Sequence, residues 1–188
     1  MLLNKQDYYD LGYDTERWWR EHIKKVMPHV RHTPRNRGYD FKGEYEGMTF
    51  YVDVKFLRSE YRQKGWIELV SWGKVTGIIQ TARDNFKNDN VEVYIAILHQ
   101  GRHYLIDAKE VVAAFSRGEL NIHSGVSRDD RGVQTMNKHV IMDGFSDPRF
   151  CIIEGPLNTE LWNPQTDICK RIDIEAWMNG EFVEKDEK

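Results

Sequence analysis

Two acids and a lysine in the first third of the chain have the residue types and the spacing that phosphodiester hydrolysis needs. Asp53 and Lys55 stand two residues apart in the run Met48 to Leu57, whose alternating pattern predicts a β-strand. Residues two apart on a strand point to the same side, so Lys55 projects beside Asp53. Asp40 lies on the hairpin partner of this strand, so its carboxylate is expected to converge with that of Asp53 on one ion.

The chemistry that this trio would support is metal-assisted attack of water on a phosphodiester. Carboxylate oxygens suit Mg²⁺, which keeps several waters and takes one or two protein carboxylates. Lys55 would orient the attacking water, help to deprotonate it, or stabilise the developing negative charge. The alternative is that Asp53 and Lys55 form an ordinary polar pair on a solvated sheet face.

The surrounding pattern predicts the elements that position these residues. A helix is expected from Thr15 to Met27, with a cap at Asp14 or Thr15, Trp19 in the core and Trp18 exposed. Further predicted elements are strands at Tyr39–Tyr45, Met48–Leu57, Trp66–Ser71, Val91–Leu98 and Arg102–Ile106, a helix within Val75–Phe86, and a helix capped by Asp107 with Val111, Val112, Ala114 and Phe115 as its apolar positions. Beyond Gly118, the pattern predicts a polar loop at Ser124–Gly132, short strands at Val133–Met142 and Phe150–Glu154, a last element at Ile172–Trp177 and a frayed acidic end.

The order of these elements resembles the PD-(D/E)xK nuclease superfamily, which has the restriction-endonuclease-like fold. The residues that carry the resemblance are Gly38-Tyr39-Asp40-Phe41, Tyr51-Val52-Asp53-Val54-Lys55 and Trp66-Ile67-Glu68-Leu69. Tyr39 stands where a proline often precedes the first acid. Residues 14 to 116 are also similar to small phage and bacterial nuclease-like proteins, with Ile78 and Arg83 replacing their usual Trp and Lys.

The resemblance implies an α/β protein with a mixed central β-sheet flanked by α-helices and a less regular C-terminal extension. It assigns Asp40 as the first acid, Asp53 and Lys55 as the D-x-K element, and Glu68 as a further acid of the site. Glu16, on the first helix, matches an acid of resolvase-type members and is an additional candidate ligand. The alternative for Glu16 is that it forms an ion pair at the edge of the helix. The alternative for Glu68 is that it is an acid on a solvated strand face.

The resemblance also implies a function: a Mg²⁺-dependent endonuclease that hydrolyses DNA, with Mn²⁺ able to substitute. Such a protein would be phage-encoded, would act on branched or otherwise structured DNA, and would work as a homodimer. The alternative is a catalytically inactive nuclease-fold protein that binds nucleic acid or a host protein. Basic residues near the acids are the candidate DNA contacts: Arg31, Arg35, Arg37, Arg58, Arg62, Lys64, Lys74 and Arg83.

Composition narrows the class of protein further. The 188 residues are 40% hydrophobic and 30% charged, which predicts one folded domain, with a core at 1–118 and an extension at 119–188. Neither a signal peptide nor a membrane span is apparent, the two cysteines are too few for a disulfide framework, and no nucleotide-cofactor motif is present, so a cytoplasmic location is expected. Residues 173–188 carry a net charge of −4, which leaves +1 on the rest of the chain.

Overall fold

The computed structural model describes residues 5–26, 29–33, 38–57, 65–71, 74–99, 102–128, 134–142, 147–156, 165–166 and 170. Within them the helices are α1 (Lys5–Val26), α2 (Gly77–Asp84) and α3 (Ala108–Ser116). The strands are β1 (Arg31–His32), β2 (Phe41–Tyr45), β3 (Met48–Leu57), β4 (Gly65–Ser71), β5 (Lys74–Val75), β6 (Val91–His99), β7 (Arg102–Asp107), β8 (Asn121–Arg128), β9 (Gln134–Met142) and β10 (Cys151–Pro156).

A six-stranded mixed sheet in the order β1-β2-β3-β6-β7-β10 forms the centre of the fold. Strands β3 and β6 pair in parallel, and the other neighbours pair antiparallel. The turn between β2 and β3 has positive φ at both Glu46 (48°) and Gly47 (80°), which matches the right-handed twist of a hairpin. Helices contact this sheet, so the predicted α/β architecture with a mixed sheet flanked by helices is confirmed.

One face of the central sheet is covered by α2 and α3. The residues that share this core come from both helices and from alternate positions of β6 and β7: Ile78, Ile79, Ala82, Val93, Ile95, Ile97, Tyr104, Ile106, Ala108 and Val111. Asp53 and Lys55 are the parallel partners of Ile95 and Ile97, so their side chains lie on this same face. Asp53 is therefore buried at the edge of this core, whereas the Lys55 side chain is half exposed to solvent.

The opposite face of the central sheet is covered by α1. Trp18 and Trp19 contact His103, whose neighbour Tyr104 belongs to the core on the other face. Both tryptophans are buried, which confirms the prediction for Trp19 and shows that the predicted exposure of Trp18 is wrong. The helix also begins at Lys5, ten residues before the predicted start.

The predicted cap Asp14 has a tertiary role within α1. Its Oδ2 atom accepts hydrogen bonds from the backbone N–H groups of Gln165 and Thr166 at 3.2 Å, and from the Thr166 hydroxyl at 2.7 Å. Arg17, one turn later, pairs with the other oxygen of the same carboxylate. A helix start at Asp14 is therefore wrong, because this carboxylate binds a segment near the C-terminus instead of the helix's own first turn.

A second, four-stranded sheet in the order β5-β4-β9-β8 holds the strand that carries Glu68. β4 pairs antiparallel with β9, and Ile67 and Leu69 of β4 join the core formed by α2 and α3. The polar loop predicted at Ser124–Gly132 is wrong for Ser124 to Arg128, which belong to β8. The polar sequence of this segment does not indicate a strand, because its strand partner, β9, lies later in the chain.

The helix after β7 follows the prediction at its start. The Asp107 carboxylate accepts hydrogen bonds from the N–H groups of Lys109 and Glu110, which confirms the predicted cap. Phe115, the last of the predicted apolar positions, is 46% exposed. The predicted element at 172–177 and the acidic end lie outside the described residues, and none of the described helices is long and apolar enough to cross a membrane.

Candidate metal and phosphodiester site

Asp40 and Asp53 lie opposite each other across the β2–β3 hairpin. The hairpin register pairs Phe41 with Val52 and Lys42 with Tyr51, so continuing it by one residue pairs Asp40 with Asp53. The two carboxyl groups are close enough for Asp40 to raise the pKa of Asp53. The two-residue turn sets this register, so the local sequence is enough to bring the acids together.

Backbone hydrogen bonds hold Asp40 at this position just before β2. Its N–H donates to the carbonyl of Val52 at 2.9 Å, and its own carbonyl accepts from the N–H of Thr33 at 2.9 Å. The N–H of Val54 donates to Asp40 Oδ2 at 2.6 Å. One carboxylate oxygen therefore takes the place of a backbone carbonyl at the end of the ladder, which fixes the side chain against β3.

Asp53 is buried and forms an ion pair with Lys55. Lys55 Nζ lies 2.8 Å from Asp53 Oδ2, and the exposed fractions of the two side chains are 51% and 10%. Burial raises the pKa of Asp53 to about 6, and the neighbouring carboxyl of Asp40 contributes to the rise, although Lys55 acts in the opposite direction. Ionisation of Asp53 at this buried position, beside a second acid, is therefore favoured by a nearby cation.

Lys55 is surrounded by acids. Burial of its ammonium group opposes the charge, but Asp53, Asp40 and Glu68 together raise the pKa of Lys55 above its ordinary value. Lys55 therefore carries a proton at neutral pH and acts as a hydrogen-bond donor. Glu68, a half-buried residue of the second sheet, contributes to this shift through its charge, and its place in the site stays a prediction.

Close packing between two glycines connects the loop before Asp40 to the start of α2. Gly38 has φ +82°, a conformation that favours glycine, and its backbone crosses directly over the backbone of Gly77. A Cβ atom on either residue would collide with the other main chain. Thr76, just before Gly77, donates its hydroxyl to the carbonyl of Glu68 at 2.9 Å. The start of α2 thus contacts both the loop that leads to Asp40 and the strand of Glu68.

The donor set fits a hard divalent cation. Asp40 and Asp53 offer adjacent carboxylate oxygens, and their mutual repulsion with burial favours a positive charge between them. The described residues contain no group of three or more His, Cys, Asp or Glu side chains close enough to hold a metal ion. Two carboxylates are nevertheless sufficient for Mg²⁺, which retains water in its remaining positions.

The other predicted site residues lie on several different elements of the fold. Glu16 is half-buried on α1, which packs on the sheet face opposite Asp53, so its role as a ligand stays a prediction. Arg31, Lys74 and Arg83 are exposed on β1, β5 and α2, as DNA contacts would have to be. The remaining candidates lie outside the described residues: Arg35, Arg37, Arg58, Arg62 and Lys64.

Three residues beside the acids were not predicted as part of the site. Lys42 and Tyr51 form the next cross-strand pair on the same face as Asp40 and Asp53. The ring of Tyr39 packs against the ring of Tyr51. The signal that identifies Lys42 and Tyr51 is the hairpin register, since residues two apart on each strand share a face.

No protein-family model matches this chain, and a search of curated proteins likewise finds no match.

Proposed function

We propose that this protein is a Mg²⁺-dependent endonuclease of the PD-(D/E)xK type that hydrolyses phosphodiester bonds in DNA. The observation that carries the proposal is the convergence of Asp40, Asp53 and Lys55 on one partly buried face. The restriction-endonuclease-like core belongs to this proposal, which rests on the ordered D…D-x-K elements and on the mixed sheet that holds them.

Asp40 and Asp53 would hold the ion, which when bound supplies a polarised water and stabilises charge on the phosphoryl oxygens. The N–H of Val54 keeps the Asp40 carboxylate in place while the other oxygen stays available. Lys55, protonated at neutral pH, donates a hydrogen bond to the attacking water or to a phosphoryl oxygen. The negative charge of Glu68 helps to keep the Lys55 ammonium group protonated.

The direct test is to compare wild type with Asp53→Ala and Glu21→Ala on plasmid and branched DNA in Mg²⁺ or Mn²⁺. We expect wild type and Glu21→Ala to cut, and Asp53→Ala to lose at least about a thousandfold in rate, because both metal binding and water activation depend on this carboxylate. Equal activity of wild type and Asp53→Ala would contradict the assignment. Comparing the rates on plasmid and branched DNA also tests the proposed preference for structured DNA.

A second candidate function is a nuclease-fold protein that binds nucleic acid or a host protein without cutting it. The observation in its favour is that Lys55 already compensates the charge of Asp53 at 2.8 Å, as an internal ion pair without a metal would. Calorimetric titration with Mn²⁺ separates the two. Binding that disappears in both Asp40→Asn and Asp53→Asn favours the nuclease, and no binding to wild type favours the inactive protein.

A further inference from the structure

We propose that Lys42, Tyr51 and Tyr39 form a nucleotide subsite beside the carboxylate pair, which binds the nucleotide next to the scissile phosphate. This inference rests on the proposed function and names how the substrate strand is aligned. Lys42 would contact the neighbouring phosphate, and the two tyrosines would contact its sugar or base.

The subsite is built by the same hairpin register that joins the acids. The Lys42–Tyr51 pair lies two residues along the hairpin from Asp40 and Asp53. Residues two apart on a strand point to the same side, so the two pairs share one face. Lys42 Nζ lies 5.6 Å from the centre of the Tyr51 ring. The Tyr39 ring meets the Tyr51 ring edge-on, with the centroids 4.7 Å apart. The lysine and the two rings therefore form one contiguous surface.

The polar groups of this surface are available to a ligand. Lys42 has one acidic contact among the described residues, with Glu44 at 3.8 Å, and the Lys42 side chain is 41% exposed. An ion pair of that length between exposed side chains contributes little. Both tyrosines are half-buried, and in the described part of the chain neither hydroxyl makes a hydrogen bond. One ammonium and two phenol groups can thus all donate to a substrate.

The spacing of the two residue pairs suits a nucleic-acid strand. Two residues along a β-strand span about 6.6 Å, which is comparable with the distance between successive phosphates of one strand. A strand that places one phosphate at Asp40 and Asp53 would bring the next phosphate to Lys42 if it follows the hairpin. This face of the β2–β3 hairpin thus offers acids for the reacting phosphate and a cation for its neighbour.

Binding measurements test Lys42. We would titrate a fluorescein-labelled duplex oligonucleotide with wild type, Lys42→Ala, Lys42→Arg and Lys24→Ala, in Ca²⁺ and at several salt concentrations, following fluorescence anisotropy. Lys24 is a matched control because it is similarly exposed and also faces a glutamate. We expect Lys42→Ala to bind about tenfold more weakly, as loss of a charged hydrogen bond predicts, and to lower the salt slope by about 1. Lys42→Arg should retain binding.

Kinetics test the tyrosines, with Tyr51→Phe keeping the ring and removing the hydroxyl. We expect its KM to rise by about threefold, the effect of one neutral hydrogen bond, while kcat is unchanged. If wild type cuts DNA but Lys42→Ala matches Lys24→Ala in affinity and salt slope, the subsite is wrong and the nuclease proposal stands. If wild type neither binds nor cuts any DNA tested, the proposed function fails and the subsite fails with it.

Discussion

On α1, Lys24 Nζ lies 2.9 Å from Glu21 Oε1, and on β3, Lys55 Nζ lies 2.8 Å from Asp53 Oδ2. The hydrogen bond from Lys24 lowers the pKa of Glu21, whereas burial raises the pKa of Asp53 despite its lysine. The contact lengths in the two pairs are therefore nearly equal, but the pKa values of the two acids shift in opposite directions.

The difference comes from the surroundings of each carboxylate. Glu21 is exposed on a helix, where water stabilises its charge and the ion pair contributes little. Asp53 is enclosed by the core and shares its position with a second acid, Asp40. A lysine–acid pair thus indicates a functional site when the acid is buried and has a second acid beside it. Burial and the second acid can each be tested separately from the ion pair.

The largest expected effect comes from replacing the two lysines in turn. Lys55→Met should lower kcat for DNA cleavage by about a hundredfold to a thousandfold, because a donor aimed at developing charge is lost from a low-dielectric site. Lys24→Met should leave kcat unchanged. Single-turnover cleavage assays on both variants measure the contrast. A similar loss in both, or in neither, would remove the distinction between the buried and the exposed pair.

A backbone change should show what holds Asp40 against Asp53. Gly77→Ala should destabilise the protein by about 3 kcal/mol, because its methyl group would collide with the main chain of Gly38. Gly12→Ala is the matched control: Gly12 lies within α1 with nothing near its added methyl, so the variant should gain about 0.5–1 kcal/mol. Urea unfolding measures both. If Gly77→Ala is as stable as wild type, the glycine crossing does not constrain the site.

The third expected effect is the dependence of stability on pH. The pKa of Asp53 is 3.8 in its ordinary state and about 6 in the fold, so the folded protein holds the extra proton between these values. Folding stability contributed by this group is therefore present below pH 4 and falls as pH rises to 6. At pH 7.5 and without metal, Asp53→Asn should be more stable than wild type by on the order of 2 kcal/mol.

Urea unfolding of Asp53→Asn and wild type from pH 4 to pH 7.5 measures this difference, and the contributions of groups that do not interact with Asp53 cancel. Glu21→Gln should differ from wild type by no more than about 0.5 kcal/mol, with the small loss at neutral pH. A constant stability difference between Asp53→Asn and wild type across this pH range would contradict the raised pKa.

Local sequence was sufficient for the hairpin and the acids on it. The turn at Glu46 and Gly47 and the alternation of β3 fix which residues are opposite, so Asp40, Asp53 and Lys55 were predicted to share a face. The Asp107 cap was predicted for the same reason, since its carboxylate accepts hydrogen bonds from Lys109 and Glu110, two and three residues later. Features set by contacts close in sequence can be predicted from patterns of a few residues.

Features set by distant contacts could not be predicted in this way. The first turns of α1 carry Asp7, Asp10 and Gly12, which obscure a helical pattern, and Asp14 binds a segment 151 residues later. The burial of Asp53 depends on β6 pairing in parallel with β3 and on two helices covering that face. The continuous apolar run of β6 was the available signal, because such strands are buried on both faces.

The pairing of β4 with β9 has a consequence for how the protein is made. Asp40, Asp53 and Lys55 can meet once the strands up to β6 have emerged from the ribosome, but β4 must wait for residues 134–142 before its long partner exists. A fragment that ends at residue 118 would leave β4 with only the two-residue β5 as a neighbour. The strand of Glu68 is therefore translated in the first half of the chain, but its main pairing partner is translated in the second half. A prematurely terminated product would lack that pairing.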